Sequence, residues 1–328
     1  MRKFVALMLV LSALPPALAM GGKEQSEAIQ PLSIRVGALK GPTGIGMIKL
    51  FDQAPVLPDA VTATFEAVAN ADAMAARLLS GELDAAVLPV NMAAKLYNAG
   101  LQYKMVALVG NGMVKILTND ASIQIPADLK NREMHVAGQG ATPEFLLRTV
   151  LPQAGADPDK DITMAFGLPY AEMATMLAAG KIEIAVLPEP FATVARKANP
   201  SLREPFSLTA LWKLATGQDD YPMSVFVVRA SLINDRKTAV AALLSAYRDA
   251  ISWAQADPQA AGLLVERYDL GLKAPIAAAA IPASNYVFQT APSARASIEA
   301  LLAVFLKAVP ASIGGKLPDP AFYADCGL

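Results

Sequence analysis

The chain has 328 residues, 28 basic and 29 acidic side chains, and a formal net charge of −1. Both signs are scattered and no basic stripe with interleaved aromatics occurs, which excludes nucleic acid as a partner. A single cysteine (Cys326) and a single histidine (His135) exclude an internal disulfide and the usual zinc sites.

The first residues read as an address. Arg2 and Lys3 precede an apolar run from Phe4 to Leu14, Pro15-Pro16 break it, and Ala17-Leu18-Ala19 offers small residues to a signal peptidase. The run is too short to span a bilayer of about 30 Å. A cleaved signal over residues 1–19 and a mature start at Met20 are therefore expected. No cysteine lies near the cleavage site, so the exported chain is unlipidated, and a periplasm suits such a protein. No later stretch approaches 18 consecutive apolar residues, so the mature chain is expected outside the membrane.

The predicted elements then run as two similar series. Ser33–Ala38 reads as a strand, followed by the turn Gly41-Pro42-Thr43-Gly44 and a helix over Met47–Phe51. Thr62–Phe65 gives a strand, Ala71–Leu79 a helix, Asp84–Leu88 a strand, Met92–Asn98 a helix and Lys104–Val109 a strand. A second series opens with a strand at Val114–Thr118 and a helical turn at Pro126–Leu129. A strand at Glu133–Ala137 then runs into Gly138-Gln139-Gly140-Ala141-Thr142 and a helix from Pro143. Ile162–Phe166 is a strand, Ala171–Ala179 a helix, Ile182–Leu187 a strand and Pro190–Lys197 a helix. Met223–Val228 reads as a strand leading out of this series. The rest reads as a helical tail, with Lys237–Ala256, Ala260–Tyr268 and Ala294–Ala308 carrying helical periodicity.

The series match because a segment is repeated. Leu78–Pro89 (LLSGELDAAVLP) aligns with Leu177–Pro188 (LAAGKIEIAVLP) at a constant offset of 99 residues. Each copy is a helix end at a glycine, one acid in a short turn, and a continuously apolar strand running into proline. Such strands are buried on both faces under covering helices. Two α/β lobes follow, with a cleft between them suited to a small molecule. The expected boundaries are residues 20–111 for the first part of lobe 1, 112–222 for lobe 2, and 223–328 for a mostly helical second part of lobe 1. The two crossings near Gly110-Asn111-Gly112 and Asp219-Asp220-Tyr221-Pro222 would form a hinge.

Candidate binding residues lie where strands give way to helices. Gly41, Pro42, Thr43 and Gly44 occupy such a turn in the first lobe, and Gly138, Gln139, Gly140, Ala141 and Thr142 occupy its counterpart. Helix starts expose N–H groups, small residues allow close approach, and the threonines add hydroxyls. Each turn alone also reads as an ordinary tight turn, and their matching places favour a shared site. Neither fits a nucleotide fingerprint. Asn91 and Glu189 follow the repeated strands, at the carboxyl ends where open α/β sheets bind ligands; helix capping is the other reading of both. Tyr170 and Tyr221, and less directly Phe145 and Tyr97, offer rings for a planar ligand. Trp212 and Trp253 read as packing residues, and His135 as a core histidine on a buried strand. No catalytic residues, cofactor or metal are expected. The four turns lack arginine, which favours a small organic ligand over a bare oxyanion. Its acceptor end would meet Thr43 and Thr142, a donor end would meet Glu189, and its middle would lie against Tyr170 or Tyr221.

Leu78–Pro89, Pro126-Ala127-Asp128-Leu129-Lys130, Ala185-Val186-Leu187-Pro188-Glu189-Pro190 and the tail from Lys237 together carry a family resemblance. The chain resembles the type II periplasmic substrate-binding proteins of ABC transporters, in the nitrate/sulfonate/bicarbonate or thiamine-precursor-like group. The resemblance implies an α/β fold of two lobes with the ligand cleft between them, a monomer, and delivery of the ligand to an ABC permease in the inner membrane. Gly41-Pro42-Thr43-Gly44 departs from the pyrimidine-precursor binders, which carry an aromatic-rich segment there. Two other roles share the fold: a receptor for another transporter or a sensor, and an enzyme like those of the menaquinone pathway, which are cytoplasmic and so at odds with the signal peptide.

Overall fold

The strands that are apolar at every position sit at the centre of two sheets. The computed structural model describes residues 31–136, 139 and 141–328, so the expected signal peptide lies outside the described residues. Ten strands are present among the described residues: β1 (Leu32–Leu39), β2 (Val61–Val68), β3 (Ala85–Pro89), β4 (Tyr103–Gly110), β5 (Val114–Thr118), β6 (Arg132–Val136), β7 (Ile162–Ala165), β8 (Ile184–Pro188), β9 (Ser224–Arg229) and β10 (Tyr286–Thr290). They form a six-stranded sheet in the order β10-β4-β9-β3-β1-β2 and a four-stranded sheet in the order β5-β8-β6-β7.

The repeat read from the sequence is built into this topology. β1 lies parallel to both β2 and β3, as β6 lies parallel to both β7 and β8. The repeated strands β3 and β8 each take an antiparallel partner on their other side, β9 and β5 respectively. Ala85, Ala86 and Val87 of β3 and Ile184, Ala185, Val186 and Leu187 of β8 are wholly buried. Each repeat helix ends before a glycine in left-handed backbone, Gly81 (φ 75°) and Gly180 (φ 68°), a conformation in which a Cβ is costly.

The chain leaves the first sheet after β4 and returns to it at β9, through two neighbouring segments. Asn285, just before β10, ties them together. Its side-chain amide donates to an Asp220 carboxylate oxygen at 2.6 Å and to the Gly112 carbonyl at 3.2 Å, while Asp220 accepts from the Gly112 N–H at 3.1 Å. Asn285 itself holds a left-handed φ of 47°, which asparagine tolerates better than most residues. The helix Ala291–Ala308 packs Phe305 edge-on to Phe145 of the helix Thr142–Val150, with ring centroids 4.9 Å apart. One hydrophobic cluster therefore contains residues next to both sheets.

The tail is not all helical. β10 (YVFQT) pairs antiparallel with β4, and β9 lies in the middle of the first sheet rather than simply leading away from the second. A helix at Leu208–Thr216 carries Trp212, which the sequence marks as a packing residue on a helix without setting that helix's bounds. It is capped by the Ser207 hydroxyl, which accepts from the Ala210 N–H, and closed by Gly217 at φ 74°. Among the described residues no helix is long and apolar enough to cross a membrane.

Candidate ligand-binding site

A cavity of about 360 Å³ opens where the carboxyl ends of β1, β3 and β8 face one another. Its walls come from both sheets and from both crossing segments, the latter contributing Met113, Met223 and Ser224. Five helices of eight or nine residues begin at this cavity, at Ala71, Val90, Thr142, Tyr170 and Phe191. The first-turn N–H groups of a helix lack intrahelical partners, so these starts supply donors and partial positive charge. Asn70 caps the first of them with its own side chain and the Glu189 carboxylate takes the Thr193 N–H of the last, whereas the three that begin after Pro89, Ala141 and Pro169 have no side-chain cap.

The predicted turn after β1 divides by role. Pro42 and Thr43 line the cavity, and the Thr43 hydroxyl donates to the Leu39 carbonyl at 3.2 Å. Gly41 and Gly44 instead make the turn possible. Gly41 has φ 96° and donates its N–H to the Leu270 carbonyl at 2.9 Å, and a Cβ on Gly44 would lie 2.6 Å from the Leu270 side chain. The Tyr286 hydroxyl braces the turn from behind by donating to the Pro42 carbonyl at 2.8 Å. In the second turn Ala141 and Thr142 reach the cavity and Gln139 is exposed outside its lining; Gly138 and Gly140 lie outside the described residues.

Asn91 and Tyr170 also line the cavity. Tyr170 stacks on Phe191, with ring centroids 5.3 Å apart and planes 22° apart, and Phe191 lines the cavity as well. Phe191 was legible as the residue after Pro188-Glu189-Pro190 but was read only as part of a helix. The methionines at positions 92, 113 and 223 complete the apolar surface. Lys40 is the charged residue in the described lining, and it is paired with Asp269.

Two expected contacts are corrected. Tyr221 does not reach the cavity: its ring is fully buried edge-on to Trp212, and its hydroxyl accepts from the Val114 N–H at 3.2 Å. A ring tied to backbone at one end and packed on indole at the other has no face left for a ligand. Glu189 is likewise fully buried and absent from the lining. Its backbone N–H donates to the Met113 carbonyl at 2.9 Å and one carboxylate oxygen accepts from the Thr193 N–H at 3.0 Å, so it caps the helix Phe191–Ala198. Burial holds its carboxyl above the usual range, against the Thr193 hydrogen bonds and the charges of Arg196 and Lys115. His135 is half-buried on β6, with its Nε2 3.1 Å from a Glu133 carboxylate oxygen, and Cys326 is buried at the far end of the chain.

Comparison with known proteins places this geometry. The model of the NMT1-like family matches residues 44–267, and the chain belongs to that family. No curated protein matches it. Among solved structures, an ABC transporter protein of Parabacteroides distasonis shares 24% identity with a TM-score of 0.74, over 89% of this chain and 99% of that one. The periplasmic aliphatic sulphonate binding protein SsuA of Escherichia coli shares 19% identity with a TM-score of 0.67, over 89% and 93% of the two chains. A DszB variant in complex with biphenyl-2-sulfinic acid shares 15% identity with a TM-score of 0.60, over 89% and 95%. The fold is that of a two-lobe periplasmic binding protein, mixed α/β with two sheets.

Proposed function

We propose that the chain is an exported solute-binding protein that captures a small organic molecule between two hinged lobes and delivers it to an ABC permease. The supporting observation is the position of the cavity, at strand ends of both sheets and against both crossing segments, so that ligand contacts and hinge share one wall. Residues 20–111 with 223–328 form one lobe and 112–222 the other, and the signal over residues 1–19 directs a monomeric, unlipidated protein to the periplasm. The ligand meets Pro42, Thr43, Asn91, Ala141, Thr142 and Tyr170. The protein carries its ligand without turning it over; the one histidine lies against Glu133 and does not line the cavity.

The decisive experiment looks for a permease and an ATPase encoded beside this gene, reconstitutes them in lipid discs and adds the protein with any small molecule that co-purifies with it. ATP hydrolysis should rise only when protein and ligand are both present. Hydrolysis indifferent to the protein, or chemical conversion of the ligand by the protein alone, would refute the proposal.

A further inference from the structure

We infer that the ligand is a flat, largely apolar molecule with an oxygen-acceptor end and no cationic group. The inference rests on the solute-capture reading and specifies what that site takes. Its first support is the stacked pair Tyr170 and Phe191, both of which line the cavity. Met92, Met113 and Met223 line it too, and thioethers make favourable contacts with the edges of aromatic rings. A planar hydrophobic body fills such a space, whereas a small hydrated ion would leave most of the wall without a partner.

The polar groups decide what sits at the end of that body. No carboxylate belongs to the described lining: Glu189, the acid just past the end of β8, is fully buried outside it, with one oxygen on the Thr193 N–H and the other without a hydrogen-bond partner. An ammonium ligand entering here would lose its water with no anion to replace it. The uncapped helix starts at Val90, Thr142 and Tyr170 offer N–H donors, which suit a carbonyl, carboxylate or sulfonyl oxygen. No arginine lines the described cavity, and Lys40 is already paired with Asp269, so a ringless oxyanion gains no dedicated cation. Ring and acceptor are needed together.

Calorimetry on the mature chain tests this with five probes. Benzamide and benzoate carry ring and acceptor, benzylamine carries ring and cation, and nitrate and methanesulfonate carry the acceptor alone. Benzamide and benzoate should bind detectably at about 10 mM, a level within reach of a fitted fragment of this size. Benzylamine should bind at least about tenfold more weakly, and the ringless anions more weakly still. Tyr170→Ala should weaken benzamide about tenfold or more. Met92→Glu places an acid in the first turn of a helix, where it is tolerated, and should reverse the preference toward benzylamine. If nitrate or methanesulfonate bound best, or benzylamine did in the parent chain, solute capture would stand and the ligand class would fall. If no probe bound and neither variant changed anything, both readings would fall.

Discussion

A methyl group at position 112 would test whether the two crossing segments are held in register as the geometry demands. In Gly112→Ala the new Cβ would lie 2.4 Å from an Asp220 carboxylate oxygen and 2.6 and 2.7 Å from the Tyr221 ring. Neither neighbour can yield cheaply, since Tyr221 is fully buried and hydrogen-bonded to Val114, and Asp220 is held by Asn285. Relief requires separating the segments. Overpacking of this kind costs about 1–3 kcal/mol. Losing the Gly112 N–H bond to the carboxylate adds about 1.5–3 kcal/mol. A total of about 2.5–6 kcal/mol lowers the thermal midpoint by roughly 4–9 °C in a chain of this size. Gly110→Ala is the control, because a Cβ there meets nothing closer than 3.5 Å. Differential scanning calorimetry of both variants decides the matter. Equal midpoints for the two would refute a clamped crossing and the hinge built on it.

Two further outcomes follow from the same structure. Asp84 is buried, which by itself raises its pKa, but hydrogen bonds from the Arg35 side chain and N–H, with the charges of Arg35 and Arg229, hold it below the usual carboxylate range. A depressed acid stabilises the fold above its unfolded pKa of about 3.9 and loses that effect as pH falls through the folded value. Asp84→Asn should therefore cost about 1–3 kcal/mol near neutral pH, with the half-exposed Arg35 limiting the loss, and the gap to the parent should close in acid; a gap independent of pH would contradict the assignment. Cys326 is buried, and burial together with Asp325 pushes its thiol up to about 11. A thiol reagent at pH 8 should label the native chain at least about a hundredfold more slowly than the unfolded chain, and equal rates would show the C-terminal segment to be undocked.

Much of the architecture was legible because it depends on local patterns. The apolar strands β3 and β8, the glycine stops at Gly81 and Gly180, and the helices Ala71–Leu79 and Lys237–Ala256 all follow from periodicity and capping. The helix Leu208–Thr216 is legible through Trp212, and its bounds are marked by Ser207 and Gly217. β10 was hidden: five residues of a strand between two helices gain their stability from pairing with β4, which no local window contains. At the site, Pro42, Thr43, Asn91, Thr142 and Tyr170, picked out by their position along the chain, line one cavity. Direction was not legible. Whether Glu189 and Tyr221 face a ligand or the interior is decided by a helix N–H four residues on and by a tryptophan on a preceding helix.

The placement of β9 has a consequence for the order in which the molecule can be assembled. This strand lies between β3 and β4, pairing Ala85 with Val228 and Tyr103 with Arg229 across a large separation in sequence. Until Arg229 has emerged, the first sheet exists only as two unconnected pieces, β3-β1-β2 and the lone β4. The second sheet draws all its strands from one continuous stretch, Val114 to Pro188, and can close while the first is still waiting. Closing a long loop is paid for before its contacts form. The later half of the duplication is thus the one free to fold first, and the earlier half, made first, is completed by residues that follow its own copy.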